Sequence, residues 1–300
     1  MIRPPYLQKG DKIALVAPAG CIDREPVDNA IKHFEQWGYE VIIGDNVFND
    51  YHIFAARDEQ RARDMQLALD SDDIRAIVCV RGGYGAIRII EQLDYSKFQG
   101  NPKWLVGFSD ICVLHAKLNV LGIESLHAPM PINFPAFSEK AEDIVWTEKI
   151  LRGSVPSYSF SDNEQNRLGT AEGELVGGNL SILYSLRGVN IELNKQSKIL
   201  FIEEINEELY HLDRMMQNLK LTGKLDKLQA LIVGEMTNMK DGDPSFGKTA
   251  YEIIAEAVED YDFPVVYGFP SGHGKVNMPL ILGANVRLNV TKDECTLDFN

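Results

Sequence analysis

Apolar residues in the first half of the chain fall into short unbroken runs separated by stretches of helical period. The run Lys12 to Ala17 (KIALVA) closes in Pro18-Ala19-Gly20, as a strand buried on both faces closes in a turn. From Pro26 to Trp37, apolar side chains at Val27, Ala30, Ile31 and Phe34 recur at helical spacing, and Gly38 supplies a C-terminal stop. Tyr39 to Ile43, Ile74 to Val80 and Lys103 to Phe108 read as further strands. Arg57 to Leu69, Ala86 to Leu93 and Ile111 to Leu121 read as helices. This alternation predicts a doubly wound α/β domain over residues 1–150, whose ligands would sit at the carboxyl ends of the strands.

Between Arg152 and Leu168 the pattern gives way to Ser, Pro, Asn, Asp and Tyr, which predicts a linker over 151–169. A second domain over 170–300 then opens with Thr170 to Val176 and Gly177-Gly178-Asn179-Leu180. It continues with a strand at Lys198 to Glu203 and a helix through Leu212, Met215, Met216 and Leu219. Alternation in VRLNV and CTLDF predicts a half-exposed hairpin within Ala284 to Phe299.

Composition narrows the function classes. The 300 residues carry 30 Lys and Arg against 44 Asp and Glu, a net charge of −14 that disfavours nucleic acid and anionic membrane surfaces as partners. A small molecule or peptide fits better. The four cysteines are far apart and form no C-x-x-C, so a disulfide framework or structural zinc site is not expected, and buried thiols are. The first residues, MIRPPYLQKG, lack an apolar signal core, and the apolar runs fall short of the ~18 residues a membrane span needs; a cytoplasmic protein is expected.

Four segments could carry chemistry. Arg81-Gly82-Gly83-Tyr84-Gly85 follows a buried strand and precedes a helix, where glycines allow close approach of a ligand and free N–H groups attract negative charge. It lacks both dinucleotide-fold and P-loop spacing, and a tight strand-helix turn without ligand explains it equally well. Gly107-Phe108-Ser109-Asp110 offers Ser109 either as a helix N-cap or as a nucleophile on an elbow, although the second glycine of G-x-S-x-G is missing. Leu200 to Ile205 delivers Glu203 and Glu204, of which only one can face a given side of a strand. Gly268 to Gly274 holds His273, which could be no more than a solvated loop side chain. Acyl transfer needs a nucleophile, a base, an acid that orients the base, and oxyanion donors; the chain order Ser109, Glu203, His273 is one that builds triads elsewhere.

Together KGDKIALVAPAG, VRGGYGAIRII, LVGFSD, LVGGNL, LFIEEINEELYHLDRMMQNL and GFPSGH resemble the LD-carboxypeptidase family of serine peptidases from Lys9 to about Leu288. The resemblance implies a flavodoxin-like N-terminal domain, a smaller C-terminal α/β domain of swivelling-barrel type, a site in the cleft between them, and a homodimer. It implies Ser109 as nucleophile, Glu203 as triad acid and His273 as base, with the N–H groups of Gly83 and Asp110 as oxyanion hole; no metal or other cofactor is expected, because no H-E-x-x-H or clustered His/Cys pattern occurs and the serine route supplies its own nucleophile. The family often has Glu-Asp where this chain has Glu203-Glu204. The implied substrate is murein tetrapeptide, cut before its terminal D-alanine in cell-wall recycling; a related branch cleaves microcin C and acyl-sulfamoyl adenylates. Arg81 is a candidate for binding the substrate carboxylate, as against a salt bridge holding its loop, and Tyr84 is a candidate beside it. Two rivals are an α/β-hydrolase esterase, which would want the missing glycine, and a catalytically silent two-domain binder of small ligands.

Overall fold

In the computed structural model, which describes residues 1–136, 141–194 and 196–300, the runs buried on both faces become the centre of a parallel sheet. Its strands are β1 (Lys12–Val16), β2 (Glu40–Ile43), β3 (Ile74–Cys79), β4 (Trp104–Gly107) and β5 (Ser125–His127), joined at one edge by β11 (Leu280–Leu282). The order β11-β5-β4-β3-β1-β2 is parallel throughout except for β11, which runs antiparallel to β5. Taken over the first five strands this is the flavodoxin-like order 2-1-3-4-5, doubly wound about β1. Helices α1 (Arg24–Gln36), α2 (Asp58–Asp70), α3 (Ala86–Ile89), α4 (Ser96–Gly100), α5 (Cys112–Val120) and α6 (Glu142–Leu151) complete this unit. It comprises Met1–Ser154 and Met278–Leu282. The helix expected from Ala86 to Leu93 is shorter: α-helix ends at Ile89 and a 3₁₀ turn carries Ile90 to Gln92.

The second unit, Val155–Asn277 with Gly283–Asn300, is built on a seven-stranded mixed sheet. Its elements are β6 (Ser157–Phe160), β7 (Gly169–Asn179), α7 (Leu180–Ser185), β8 (Lys198–Ile205), α8 (Leu209–Leu221), β9 (Ala230–Thr237), α9 (Ala250–Ala257), β10 (Val265–Tyr267), β12 (Asn285–Val290) and β13 (Cys295–Phe299). Strands β7 to β10 are parallel, and the hairpin β12–β13 and β6 extend the sheet antiparallel. Gly177 lets β7 lie tight on β8, since a Cβ there would overlap the Phe201 carbonyl oxygen at 1.9 Å. The sheet curls: Tyr158 and Phe160 of edge strand β6 stack edge-on against Phe269, just past the opposite edge strand β10. Within the stretch expected as a linker, Ser157–Phe160 therefore forms a strand, because β13 offers it a free edge. Among the described residues no helix is long and apolar enough to cross a membrane.

Candidate active site

Strands β3 and β4 lie side by side, and the loops at their carboxyl ends meet. After β4 the chain is extended at Phe108 and then turns at Ser109, whose φ of +63° is left-handed, before a 3₁₀ turn leads into α5. A left-handed serine costs about 1–2 kcal/mol, so the surrounding packing holds it there. Gly82 is part of that packing. A Cβ at Gly82 would stand 2.8 Å from Ser109 Cβ, 3.0 Å from its Oγ and 3.3 Å from the Asp110 nitrogen. The glycine loop therefore lies directly against the serine, with Gly83 at φ +98° beyond it.

Three buried polar side chains fix this arrangement. Asp110 Oδ2 accepts the N–H of Ala86 at 2.8 Å, which ties the serine turn to the start of α3. Burial pushes the Asp110 carboxyl up to about 6, against the opposing pull of the Ala86 N–H and Arg61. Arg61 donates to Gly85 O at 3.0 Å, Ala56 O at 3.1 Å and Pro18 O, and pairs with Asp58, so one guanidinium joins three loops. His115 contacts Gly107 O through Nε2 and Ser125 Oγ through Nδ1, both at 2.8 Å. A carbonyl can only accept, so Nε2 carries the proton and Nδ1 accepts from Ser125; burial lowers the His115 pKa to about 4 and keeps it neutral. Arg81 donates to Cys21 O at 2.6 Å rather than to a carboxylate, and it lines a cavity of about 520 Å³ with Arg24, Phe48 and Asn49. Tyr84 is exposed and packs near Phe54. Cys21 is half-buried, unlike the fully buried Cys79, Cys112 and Cys295, because it sits on the wall of that cavity.

In the second unit, adjacent carboxylates on β8 take different roles. Glu203 is fully buried and its Oε2 accepts from His273 Nδ1 at 2.7 Å. Glu204 points to the other face, where Oε1 accepts from Asn179 Nδ2 at 3.0 Å and Ile205 N at 2.9 Å, and Oε2 accepts from Ser181 N at 2.7 Å. It fastens the start of α7 to β8, and burial raises its pKa. The His273 loop is held from below. Asn277 Oδ1 accepts from Ser271 Oγ at 2.9 Å and Gly272 N at 3.0 Å, and Ser271 O accepts from Glu235 N at 3.0 Å.

Matches to known proteins bear on this geometry. The chain matches the LD-carboxypeptidase N-terminal domain over residues 13–128 and the LD-carboxypeptidase C-terminal domain over residues 172–288. The chain belongs to the LD-carboxypeptidase family. A Bacillus subtilis relative named "Probable murein peptide carboxypeptidase" is 29% identical over 99% of this chain and 94% of its own length. The crystal structure of muramoyltetrapeptide carboxypeptidase from Oxalobacter formigenes superposes with a TM-score of 0.88 at 29% identity, covering 96% of this chain and 98% of that one. The microcin C7 self immunity protein in complex with aspartyl sulfamoyl adenosine shares the fold, with a TM-score of 0.87 at 21% identity over 99% and 98% of the two chains. The chain is thus a hydrolase of a peptidase family, with the two-domain α/β fold expected for it.

Within each unit, the structure brings expected residues together: Ser109 and Asp110 with the glycine loop in one, Glu203 with His273 in the other. Arg61, His115, Asn179 and Asn277 were not singled out from sequence. Arg61 and His115 sit on helices with ordinary periodicity, and their buried state follows only from packing. Asn179 carried a signal in LVGGNL, as an N-cap directly before an apolar run.

Proposed function

We propose that this protein is a serine carboxypeptidase that hydrolyses the L,D-peptide bond before the terminal D-alanine of murein tetrapeptide, in cell-wall recycling. The observation that carries the reading is the left-handed Ser109 at the end of β4, in a chain whose buried Glu203 already orients the Nδ1 of His273. In this reading Ser109 Oγ attacks the carbonyl carbon of the third residue while His273 Nε2 takes its proton. Glu203 holds the tautomer and stabilises the imidazolium, and the N–H groups of Gly83 and Asp110 receive the oxyanion. Collapse breaks the C–N bond, and His273 returns the proton to the amine of departing D-alanine. Water, deprotonated by His273, then releases the peptide from Ser109.

Arg81 supports the exopeptidase part. Among the described residues its one hydrogen-bond partner is the Cys21 carbonyl, and on the cavity wall a substrate carboxylate would satisfy the other guanidinium donors where a continuing chain would not. Tyr84, exposed in the same loop, belongs to this proposed binding surface. The reading includes a homodimer, as the family resemblance implies, together with a cytoplasmic location, and light scattering tests the dimer.

The decisive experiment is mass spectrometry of murein tri-, tetra- and pentapeptides incubated with the protein, alongside the tetrapeptide amide, its all-L diastereomer at the last position, and aspartyl sulfamoyl adenosine. Release of alanine from the free tetrapeptide alone is expected. Turnover of the amide at a comparable rate would remove carboxylate recognition, and cleavage confined to the sulfamoyl adenosine would move the protein to the microcin-type reaction.

A further inference from the structure

The carboxyl of Asp110 is buried inside the first unit, and its two oxygens are unequal: Oδ1 makes no hydrogen bond, while Oδ2 accepts the Ala86 N–H at 2.8 Å. That one bond runs between two loops. Among the described residues no backbone hydrogen bond joins residues 82–86 to residues 108–111, so the side chain supplies a link that the main chain does not.

The segment it holds has little stiffness of its own. Gly83 and Gly85, at φ +98° and +136°, are two pivots without a Cβ just before α3. Packing of Gly82 on Ser109 stops the loop from moving closer, since a Cβ there would stand 2.8 Å from Ser109 Cβ. Contact of that kind resists approach only. Separation is resisted by the directed bond from Asp110. The other ties of the loop lead elsewhere: Gly82 O accepts Gly20 N at 2.9 Å, and Gly85 O accepts Arg61 Nη1 at 3.0 Å. Neither the Gly83 N–H nor the Asp110 N–H has a backbone acceptor among the described residues, so both can donate to an oxyanion.

We infer that the Asp110 side chain is a positioning residue for the hydrolysis: by gripping the N–H of Ala86 it sets the spacing between the oxyanion donors Gly83 N–H and Asp110 N–H. Its role is separate from that of its own backbone, because it acts through Ala86 on a donor three residues away. The inference rests on the peptidase reading, which supplies the oxyanion.

The test compares full-length Asp110→Ala, Asp110→Leu and Asp110→Asn with the unmodified protein, well below each Tm. Leucine fills the volume without an acceptor and serves as the second variant should alanine not fold; asparagine keeps the acceptor. Two rates are read: phosphonylation of Ser109 by diisopropyl fluorophosphate, located by mass spectrometry, and steady-state release of alanine from murein tetrapeptide. Alanine and leucine should lower kcat and the phosphonylation rate by about 10²-fold, the scale of losing one oxyanion donor, with KM within about threefold. Asparagine should recover at least about tenfold of that loss. A purely structural role would lower Tm and leave the rates of the folded protein unchanged.

Unchanged kcat in the folded alanine or leucine variant, a loss confined to KM, or an asparagine variant as slow as alanine would each overturn the inference. Labelling of the unmodified protein without tetrapeptide turnover would remove the murein substrate and leave the phosphonylation rates to decide the role of Asp110. No labelling of Ser109 in the unmodified protein would overturn the serine reading and, with it, the oxyanion donors that Asp110 is inferred to space.

Discussion

Gly272 leaves no room for a side chain beside Glu203: a Cβ there would stand 2.8 Å from Glu203 Cβ and 2.9 Å from Oε2. Its φ of +126° is one that residues with a Cβ rarely adopt. Gly272→Ala should therefore displace either Glu203 or the His273 loop. A loss of about 2 kcal/mol in stability and at least about tenfold in kcat is expected. Chemical denaturation and steady-state kinetics on the same preparation check both, and an alanine variant with unaltered kcat would show that the Glu203–His273 contact tolerates displacement.

Ser109 should be both indispensable and destabilising. Ser109→Ala should reduce turnover to background with little change in stability, because it keeps the left-handed backbone and removes one oxygen. Ser109→Gly should be equally inactive but more stable than Ser109→Ala, by about 1 kcal/mol, as the cost of the positive φ is relieved. Paired urea titrations measure the difference; a glycine variant less stable than the alanine one would mean the turn is not strained.

The two neighbouring glutamates should separate by type of damage. Glu203→Gln can no longer stabilise an imidazolium, and a fall in kcat of about 10²- to 10⁴-fold is expected with a near-normal Tm. Glu204→Gln replaces one of two acceptor oxygens by a donor facing N–H groups, which should cost about 1–3 kcal/mol of stability and leave the kcat of folded protein much closer to normal. Greater loss of kcat in the second variant would exchange the roles assigned to the two acids.

Asp110 should leave a signature in the pH dependence of stability. Its native pKa, near 6, lies above the roughly 3.9 of an unfolded aspartate, so the native state binds the proton more tightly. The resulting stabilisation is fully present below about pH 4 and is lost as pH rises through about 6. Asp110→Asn keeps an acceptor for Ala86 N–H and removes the buried charge, so it should gain on the unmodified protein between pH 4 and 7. Unfolding free energies at several pH values test this, and parallel curves for the two proteins would refute it.

Much of the frame was legible in the pattern of side chains. Runs such as KIALVA and IRAIVC lack a polar face, so only a sheet covered on both sides accommodates them, and the helices between them force parallel connections. Ser109, Glu203 and His273 were legible as motif residues at strand ends. What the pattern left open was which of two adjacent carboxylates meets the histidine. A strand places Glu203 and Glu204 on opposite faces but does not say which face the loop at 268–274 will cover. That was decided by the register Asn179↔Glu203, which gives Glu204 to the start of α7, and by Gly272, which brings the histidine loop against Glu203. The burial of Arg61 and His115 was likewise beyond reach from sequence. A charged or polar side chain is buried only where several chain segments, distant in sequence, converge to supply its partners, and for Arg61 these come from Pro18, Ala56, Asp58 and Gly85.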